Sequence, residues 1–258
     1  MDKPFHSLDR HFDLPRIALV EHSRPLAWLK AGWRDMARSP LASLSYGALF
    51  AALGYLIMAY AIDKPYLGTA AVSGFMLIGP IAAAGLYEIS RRHESGEPTG
   101  FFESLGGLRG HRDGLFMFGI MLAFMLIVWE RLSAMLFALF YRGDIADVGG
   151  FFNHILFSGE YVHFLIAYMV IGGTLAALVF ALTAIAVPMV MDRDTDAITA
   201  MMTSLRAIGA NLGAMALWAV IIVALMAISF ATMMIGLVVL LPLLGHATWH
   251  AYRDQVER

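Results

Sequence analysis

Long apolar segments fill most of this chain and limit what it can fold into. Six of them approach twenty residues or more, enough for a helix to cross the roughly 30 Å hydrocarbon layer of a bilayer. They lie at about Leu41–Ile62, Leu67–Ile89, Leu115–Tyr141, Tyr161–Met191, Leu212–Phe230 and Met233–Tyr252. Charged residues make up only 15% of the sequence, whereas soluble domains contain roughly one quarter. The predicted fold class is therefore all-α: a polytopic membrane protein with six transmembrane helices arranged as three hairpins.

Positive charge is distributed unequally between the two sides of these segments. Of the 18 Lys and Arg residues, 15 lie before span one, between spans two and three, between spans four and five, or after span six. The loops on the opposite side hold only Lys64 and Arg142, and Arg131 lies within span three. Because cytoplasmic loops carry an excess of Lys and Arg, we expect both termini to face the cytoplasm.

A stretch with helical periodicity precedes each predicted hairpin, at about residues 26–38, 100–109 and 195–209. In the first stretch, the expected apolar face consists of Leu26, Leu29, Trp33 and Met36. Such amphipathic helices can lie in the plane of the lipid headgroups, although they can also be connectors packed beneath the bundle. We predict an N-terminal cytoplasmic tail at 1–24. It is followed at 25–258 by a six-helix transmembrane domain that includes these three interfacial helices.

Each even-numbered span carries a proline in its cytoplasmic half: Pro80, Pro188 and Pro242. Proline removes a helical hydrogen bond and breaks or kinks a helix, and broken helices often form the binding sites of transporters. These positions favour a small transporter or lipid-handling protein as one functional alternative. Small residues four apart, such as Gly47 and Ala51 or Gly173 and Ala177, predict close helix packing.

Two adjacent charged residues, Glu130 and Arg131, follow Trp129 inside span three. A charge at membrane depth is costly and is normally functional or paired. Adjacent residues do not face each other on a helix, so these two cannot simply neutralise one another. The alternative is that the span ends at Trp129 and that residues 132–141 lie flat outside the membrane.

His246 and His250 lie four residues apart near the cytoplasmic end of span six. One helix face would present both rings, which is compatible with a pair of metal ligands. Glu88 belongs to the same side of the membrane and could join them. The alternative is that both rings sit at the headgroup level beside Trp249 and Tyr252.

A stripe of thioethers on one face of span three is a further metal candidate, formed by Met117, Met121 and Met125. Thioethers favour Cu(I), but methionine also fills apolar gaps in any core. A membrane haem would need histidines at matched depth on separate helices. The chain has no cysteine, which excludes thiolate metal sites and cysteine nucleophiles. We therefore predict no cofactor.

Three motifs carry a resemblance to a known family. They are Gly79-Pro80 through Gly85-Leu86-Tyr87-Glu88 with Arg91-Arg92 and Gly96-Glu97-Pro98; Pro188 through Asp192-Arg193-Asp194 with Ala200 and Ser204; and Leu241-Pro242 through Gly245-His246 to Tyr252-Arg253. Together they resemble a proteobacterial integral-membrane domain of unknown function that is sometimes labelled a cytochrome c oxidase subunit. The resemblance implies a six-helix protein of the bacterial inner membrane with no settled activity.

The sequence thus predicts a non-enzymatic inner-membrane protein, an accessory or assembly component of a larger membrane complex, with a respiratory complex as the candidate. The alternatives are the small transporter or lipid-handling protein, and a copper- or haem-handling membrane protein. The expected partners are membrane lipids and other membrane-protein subunits or a second copy of the chain, and no nucleic acid.

Overall fold

A computed structural model describes residues 14–61, 72–75, 77–140 and 158–257. Within these ranges the chain forms eleven α-helices and no strand. The helices are α1 (Arg24–Arg38), α2 (Pro40–Ala61), α3 (Gly79–Ala82), α4 (Ala84–Ser95), α5 (Phe101–Leu108), α6 (Arg112–Phe140), α7 (Val162–Thr183), α8 (Ala186–Asp192), α9 (Ala197–Ala210), α10 (Leu212–Ala231) and α11 (Leu237–Gln255). A 3-10 turn, Arg109–His111, joins α5 to α6. Residues 1–13 of the predicted tail, the start of span two, and Lys64 and Arg142 lie outside the described residues.

Four helical segments in the described ranges are long and apolar enough to cross a membrane: Pro40–Ile57, Phe101–Phe140, Val162–Asp192 and Leu212–Ala231. They coincide with the predicted first, third, fourth and fifth spans. Span two is only partly described, and α11, at the position of span six, is not among the four. The all-helical class and the several apolar helices of an integral membrane protein are confirmed, while the number six stays a prediction.

The three prolines do not act alike. Pro80 is the second residue of α3, which follows a turn at Ile78. Pro188 lies in α8, which the turn at residues 184–185 separates from α7. In contrast, α11 continues through Pro242. The helix is therefore not interrupted at Pro242, because a helix can tolerate a proline when the freed carbonyl finds another neighbour, and a kink at Pro242 stays a prediction.

That freed carbonyl belongs to Val238, four residues before Pro242, because proline has no N–H to donate to it. Gly47 of α2 lies directly against it: a β-carbon added at Gly47 would lie 2.7 Å from the Val238 carbonyl carbon and closer still to its oxygen. The glycine thus allows α2 and α11 to approach each other backbone to backbone, as the small-residue spacing predicted.

The helix α11 packs against α1, α2 and α4. Its buried aromatic residues Trp249 and Tyr252 are part of the main core. In the same core, Trp28 of α1 stacks edge-on against Trp218 of α10, with ring centroids 5.9 Å apart. This arrangement brings α1 and α4 to the face of α11 that carries His246 and His250.

Helix α1 turns only part of its expected apolar face inward: Met36 is buried and Leu29 packs against the main core, whereas Leu26 and Trp33 are 62% and 54% exposed. Trp28, Gly32 and Asp35 are buried as well. Close approach to α11 requires a residue without a side chain, because a β-carbon at Gly32 would lie 2.6 Å from the Ala247 amide nitrogen.

Helices α5 and α9 follow the same rule. In α5 Ser104 is buried and Phe102 is 80% exposed, and in α9 Ser204 is buried while Ile198 and Leu205 are exposed. In all three helices small or polar residues are buried and some large apolar residues are exposed, unlike a helix on a protein in water, although α1 also buries Trp28 and Met36.

The two ends of the described chain lie side by side. Ile17 and Val256 form an antiparallel bridge, and the Ala18 amide donates to the Gln255 carbonyl at 2.9 Å. Asn211, at the junction of α9 and α10, holds this segment by accepting from the Val20 amide and donating to the Ala18 carbonyl. The segment before α1 is thereby fixed to the end of α11.

Candidate functional site

A buried carboxylate, Asp35 of α1, is the centre of a polar cluster between α1, α4 and α11. Its Oδ2 accepts a hydrogen bond from the Ser90 hydroxyl at 2.7 Å and lies 2.8 Å from Nε2 of His250. An ionised carboxylate can only accept, so this His250 nitrogen carries the proton. His93 Nδ1 lies 3.6 Å from the other carboxylate oxygen.

These neighbours determine the charge state of Asp35. Burial alone would raise its pKa, but His250, His93 and Ser90 outweigh the burial and hold the pKa well below its usual range. Asp35 is therefore ionised near neutral pH, a charge kept inside the protein by hydrogen bonds.

His246 extends the cluster into a directed chain of hydrogen bonds. Its Nδ1 lies 2.8 Å from the Ser90 hydroxyl and its Nε2 lies 2.9 Å from the Ser43 hydroxyl. The Ser90 proton is already donated to Asp35, so Ser90 can only accept from Nδ1. A neutral His246 ring then accepts from Ser43 at Nε2, and the chain runs from Ser43 through His246 and Ser90 to Asp35.

The structure therefore places His246 and His250 in the same cluster, where their rings are hydrogen-bonded to serine hydroxyls and to the Asp35 carboxylate. Both nitrogens of His246 are engaged with serines, which leaves no free lone pair for a metal in this arrangement. Within the described ranges, no group of three or more His, Asp or Glu side chains has the arrangement of a metal site.

Glu88 does not join the histidines. Its fully buried carboxylate accepts from Arg91 at 2.8 and 2.9 Å and from Arg92 at 2.6 Å. Gly107 of α5 lies against this carboxylate, where a β-carbon would collide with it. The two charge-assisted pairs lie within α4, and Gly107 lets α5 approach the Glu88 carboxylate, so this is a separate site from the Asp35 cluster.

Glu130 and Arg131 lie within an unbroken helix. Because α6 continues to Phe140, residues 132–140 prolong the same helix instead of turning away after Trp129, while the depth at which the membrane ends along α6 stays a prediction. Glu130 is partly buried, and its Oε1 has no hydrogen-bond partner in the structure, while Arg131 is exposed. Trp129 is fixed by a 2.8 Å hydrogen bond to the Ser73 hydroxyl and an edge-on contact with Tyr168.

A cavity of about 510 Å³ lies where the proline-containing segments meet. Its lining includes Pro80 itself, Ala184 at the break before Pro188, and Leu241 and Gly245 on either side of Pro242. Further walls come from α6, α7 and α10.

The cavity lining is uncharged. Among the described residues that line it there is no Lys, Arg, His, Asp or Glu. Three methionines contribute to it, Met125, Met169 and Met226, and their flexible thioethers adapt to ligands of irregular shape. Met125 belongs to the predicted thioether stripe, whereas Met117 of that stripe is exposed, so the stripe does not converge on one site.

Sequence reasoning missed Asp35, Ser43 and Ser90 because each looks ordinary within its own segment. A carboxylate on the polar side of an amphipathic helix is common, and serines are common in membrane helices. The one available signal was that Asp35 falls seven residues after Trp28, on the same helical face as that buried tryptophan.

The fold and its apolar helices define a helical integral membrane protein. Residues 68–192, just under half of the chain, match a family described as predicted integral membrane protein (DUF2189). The matched region contains the motif around Gly79-Pro80 and only the beginning of the one that starts at Pro188, up to Asp192, and the motif at 241–253 lies beyond it. None of the curated proteins or solved structures compared with the chain matches it.

Proposed function

We propose that this protein binds a neutral, largely apolar molecule within the membrane and acts in lipid handling. The observation that carries the proposal is the uncharged cavity of about 510 Å³ at the junction of the proline-containing segments. Cavities of about 300–1,000 Å³ with apolar walls and few polar groups are typical ligand sites. Burying an unpaired charge in such surroundings is very costly, so the chemistry of the walls favours an uncharged ligand.

The breaks in the helices support this location. Regular helices pack closely, whereas a helix that stops at Thr183 and restarts at Ala186 leaves room between neighbours. Small residues, Gly172, Gly173 and Ala176, line the same wall in α7. The space is therefore produced by backbone breaks and missing side chains rather than by one mobile side chain.

The test is to purify the protein in mild detergent and identify bound small molecules by mass spectrometry. A β-carbon at Gly173, which lines the cavity, meets no atom within 4 Å, so Gly173→Phe fills space without a backbone clash. Gly209 in α9 has equally open surroundings and does not line the cavity, which makes Gly209→Phe the matched control.

We expect a neutral lipid to co-purify with the wild type and with Gly209→Phe, and to be lost from Gly173→Phe. The proposal is refuted if no such molecule is bound, or if folded Gly173→Phe retains it. The accessory role in a membrane complex stays a prediction, and co-eluting subunits in the same purification would support it. Metal analysis and an absorbance spectrum of that sample test the copper and haem alternative.

We also propose the finer membrane arrangement: six crossings of a bacterial inner membrane, with both termini and α1, α5 and α9 at the cytoplasmic face. The 15-to-2 distribution of Lys and Arg supports the orientation. The outward-facing Leu26, Phe102 and Ile198 suit helices that rest on the boundary between headgroups and acyl chains.

The absence of cysteine from the sequence makes a labelling test clean. A cysteine at Lys64 should react with a membrane-impermeant maleimide in intact cells. A cysteine at Arg109 should react only after the cells are opened. The reverse pattern would overturn the orientation.

A further inference from the structure

We propose that Tyr87 recognises the cavity ligand by donating a hydrogen bond to an uncharged carbonyl oxygen. This deepens the proposed function and rests on it. Tyr87 lies in α4, four residues after the break at Ala83, and is one of the side chains that line the cavity.

The Tyr87 hydroxyl has no hydrogen-bond partner among the described residues, although the residue is only 4% exposed. Buried tyrosine hydroxyls normally find a partner, and other buried tyrosines in this protein do: Tyr46 bonds Ser104 at 2.8 Å and Tyr252 donates to Asp192 at 2.6 Å. The Tyr87 oxygen is not one of the fully enclosed unpaired polar atoms, so on a residue of the cavity wall it stays accessible to a hydrogen-bond partner that the ligand supplies.

The neighbouring polar groups of the wall define what the ligand must offer. Thr183 and Thr248 also line the cavity, but each donates its proton to a carbonyl of its own helix, at 2.7 and 2.8 Å. The Trp129 indole donates to Ser73. These three donors are already engaged. Of the two tyrosines that line the cavity, Tyr168 already accepts a hydrogen bond from the Ser133 hydroxyl at 3.2 Å, whereas Tyr87 has no partner among the described residues, so a ligand oxygen that needs a donor finds it at Tyr87.

The absence of cations among the described lining residues excludes an anionic group as the favoured partner. A carboxylate or phosphate would lose its hydration without gaining a positive charge. An ester or ketone oxygen needs only the one neutral donor. The ligand class is therefore an apolar chain that carries an uncharged carbonyl group.

The experiment uses detergent-purified, lipid-depleted protein and three brominated probes with the same carbon chain: methyl dibromostearate, dibromostearate and dibromooctadecane. Bromine quenches tryptophan fluorescence at short range, and Trp129 lines the cavity. The part of the quenching that is present in the wild type and absent from Trp129→Phe is assigned to a probe bound in the cavity.

We expect the methyl ester to bind about ten-fold more tightly than the hydrocarbon, the effect of one neutral hydrogen bond, and the carboxylate to bind more weakly than the ester. Tyr87→Phe should abolish the preference for the ester and leave hydrocarbon binding unchanged. Tyr168→Phe is the comparison variant, because Tyr168 lines the same cavity but its hydroxyl already accepts a hydrogen bond from Ser133; this variant should keep the preference for the ester.

The two proposals fail in different ways. If none of the probes quenches Trp129, the cavity binds no such ligand and the proposed function fails. If ester and hydrocarbon bind equally to the wild type, if Tyr87→Phe keeps the preference, or if the carboxylate binds best, cavity binding stands and the role of Tyr87 is refuted.

Discussion

Gly47→Ala should strongly destabilise the protein although it adds only one methyl group. The added carbon would lie 2.7 Å from the Val238 carbonyl carbon and 2.8 Å from the Val238 α-carbon. Both contacts are with backbone, so no rotamer change can relieve them. The helices α2 and α11 would have to separate, and their shared packing would loosen.

The expected loss follows from two opposing effects. Overpacking costs about 1–3 kcal/mol, and a clash between two backbones belongs at the upper end of that range. Replacing glycine by alanine inside a helix returns about 0.5–1 kcal/mol. The net change is a loss of about 2 kcal/mol, which corresponds to a melting temperature lower by roughly 4–8 °C for a chain of this size.

Thermal unfolding in detergent, followed by intrinsic tryptophan fluorescence, measures this shift. Gly173→Ala is the matched control, since a methyl group there meets no atom within 4 Å and should leave the melting temperature unchanged or raise it. The reasoning is refuted if the two variants melt together, or if Gly47→Ala is the more stable of the two.

Two further predictions concern the buried carboxylates. Because the pKa of Asp35 lies below its usual range, its stabilisation is complete above the unfolded-state value of about 4 and is lost as the pH falls further. Acidification below about pH 4 should therefore lower the melting temperature of the wild type more than that of Asp35→Asn. An equal fall in the melting temperatures of the two proteins with pH would contradict this. Glu88→Gln should cost about 2–3 kcal/mol in denaturant unfolding, since it breaks a buried pair whose arginines remain partly solvated. Glu97→Gln, at the exposed end of the same network, should cost under about 1 kcal/mol, and equal losses would show that burial of Glu88 is not the cause.

Apolar length was sufficient to predict the helical segments at the first, third, fourth and fifth spans, which are long and apolar enough to cross a membrane. Helix α10 begins at Leu212 as expected and ends at Ala231, one residue later than predicted. These boundaries are predictable because the apolar run itself sets the length of a membrane helix.

The inward faces of α1, α5 and α9 could not be predicted in the same way. Periodicity locates an apolar stripe, but it does not say whether that stripe meets protein or lipid. In α1 the stripe residues Leu26 and Trp33 point outward, and the contact with α11 is made through Gly32.

The Asp35 cluster was beyond sequence reasoning for a different reason. Asp35 lies 55 residues from Ser90 and 215 from His250 along the chain, so only the packing of α1, α4 and α11 brings them together. His246 and His250 were recognised as a pair, but the acceptor that orients His250 was not.

The pairing of Ile17 with Val256 constrains the parity of the membrane topology. Two residues joined by backbone hydrogen bonds must lie on the same side of the bilayer, so the chain between them crosses it an even number of times. Four segments qualify as crossings, which leaves the partly described second span and α11 as a linked pair: both cross, or neither does. A reporter at Arg109, which follows the second span, therefore also decides whether α11 crosses: on the same side as Ile17, both cross, and on the opposite side, neither does.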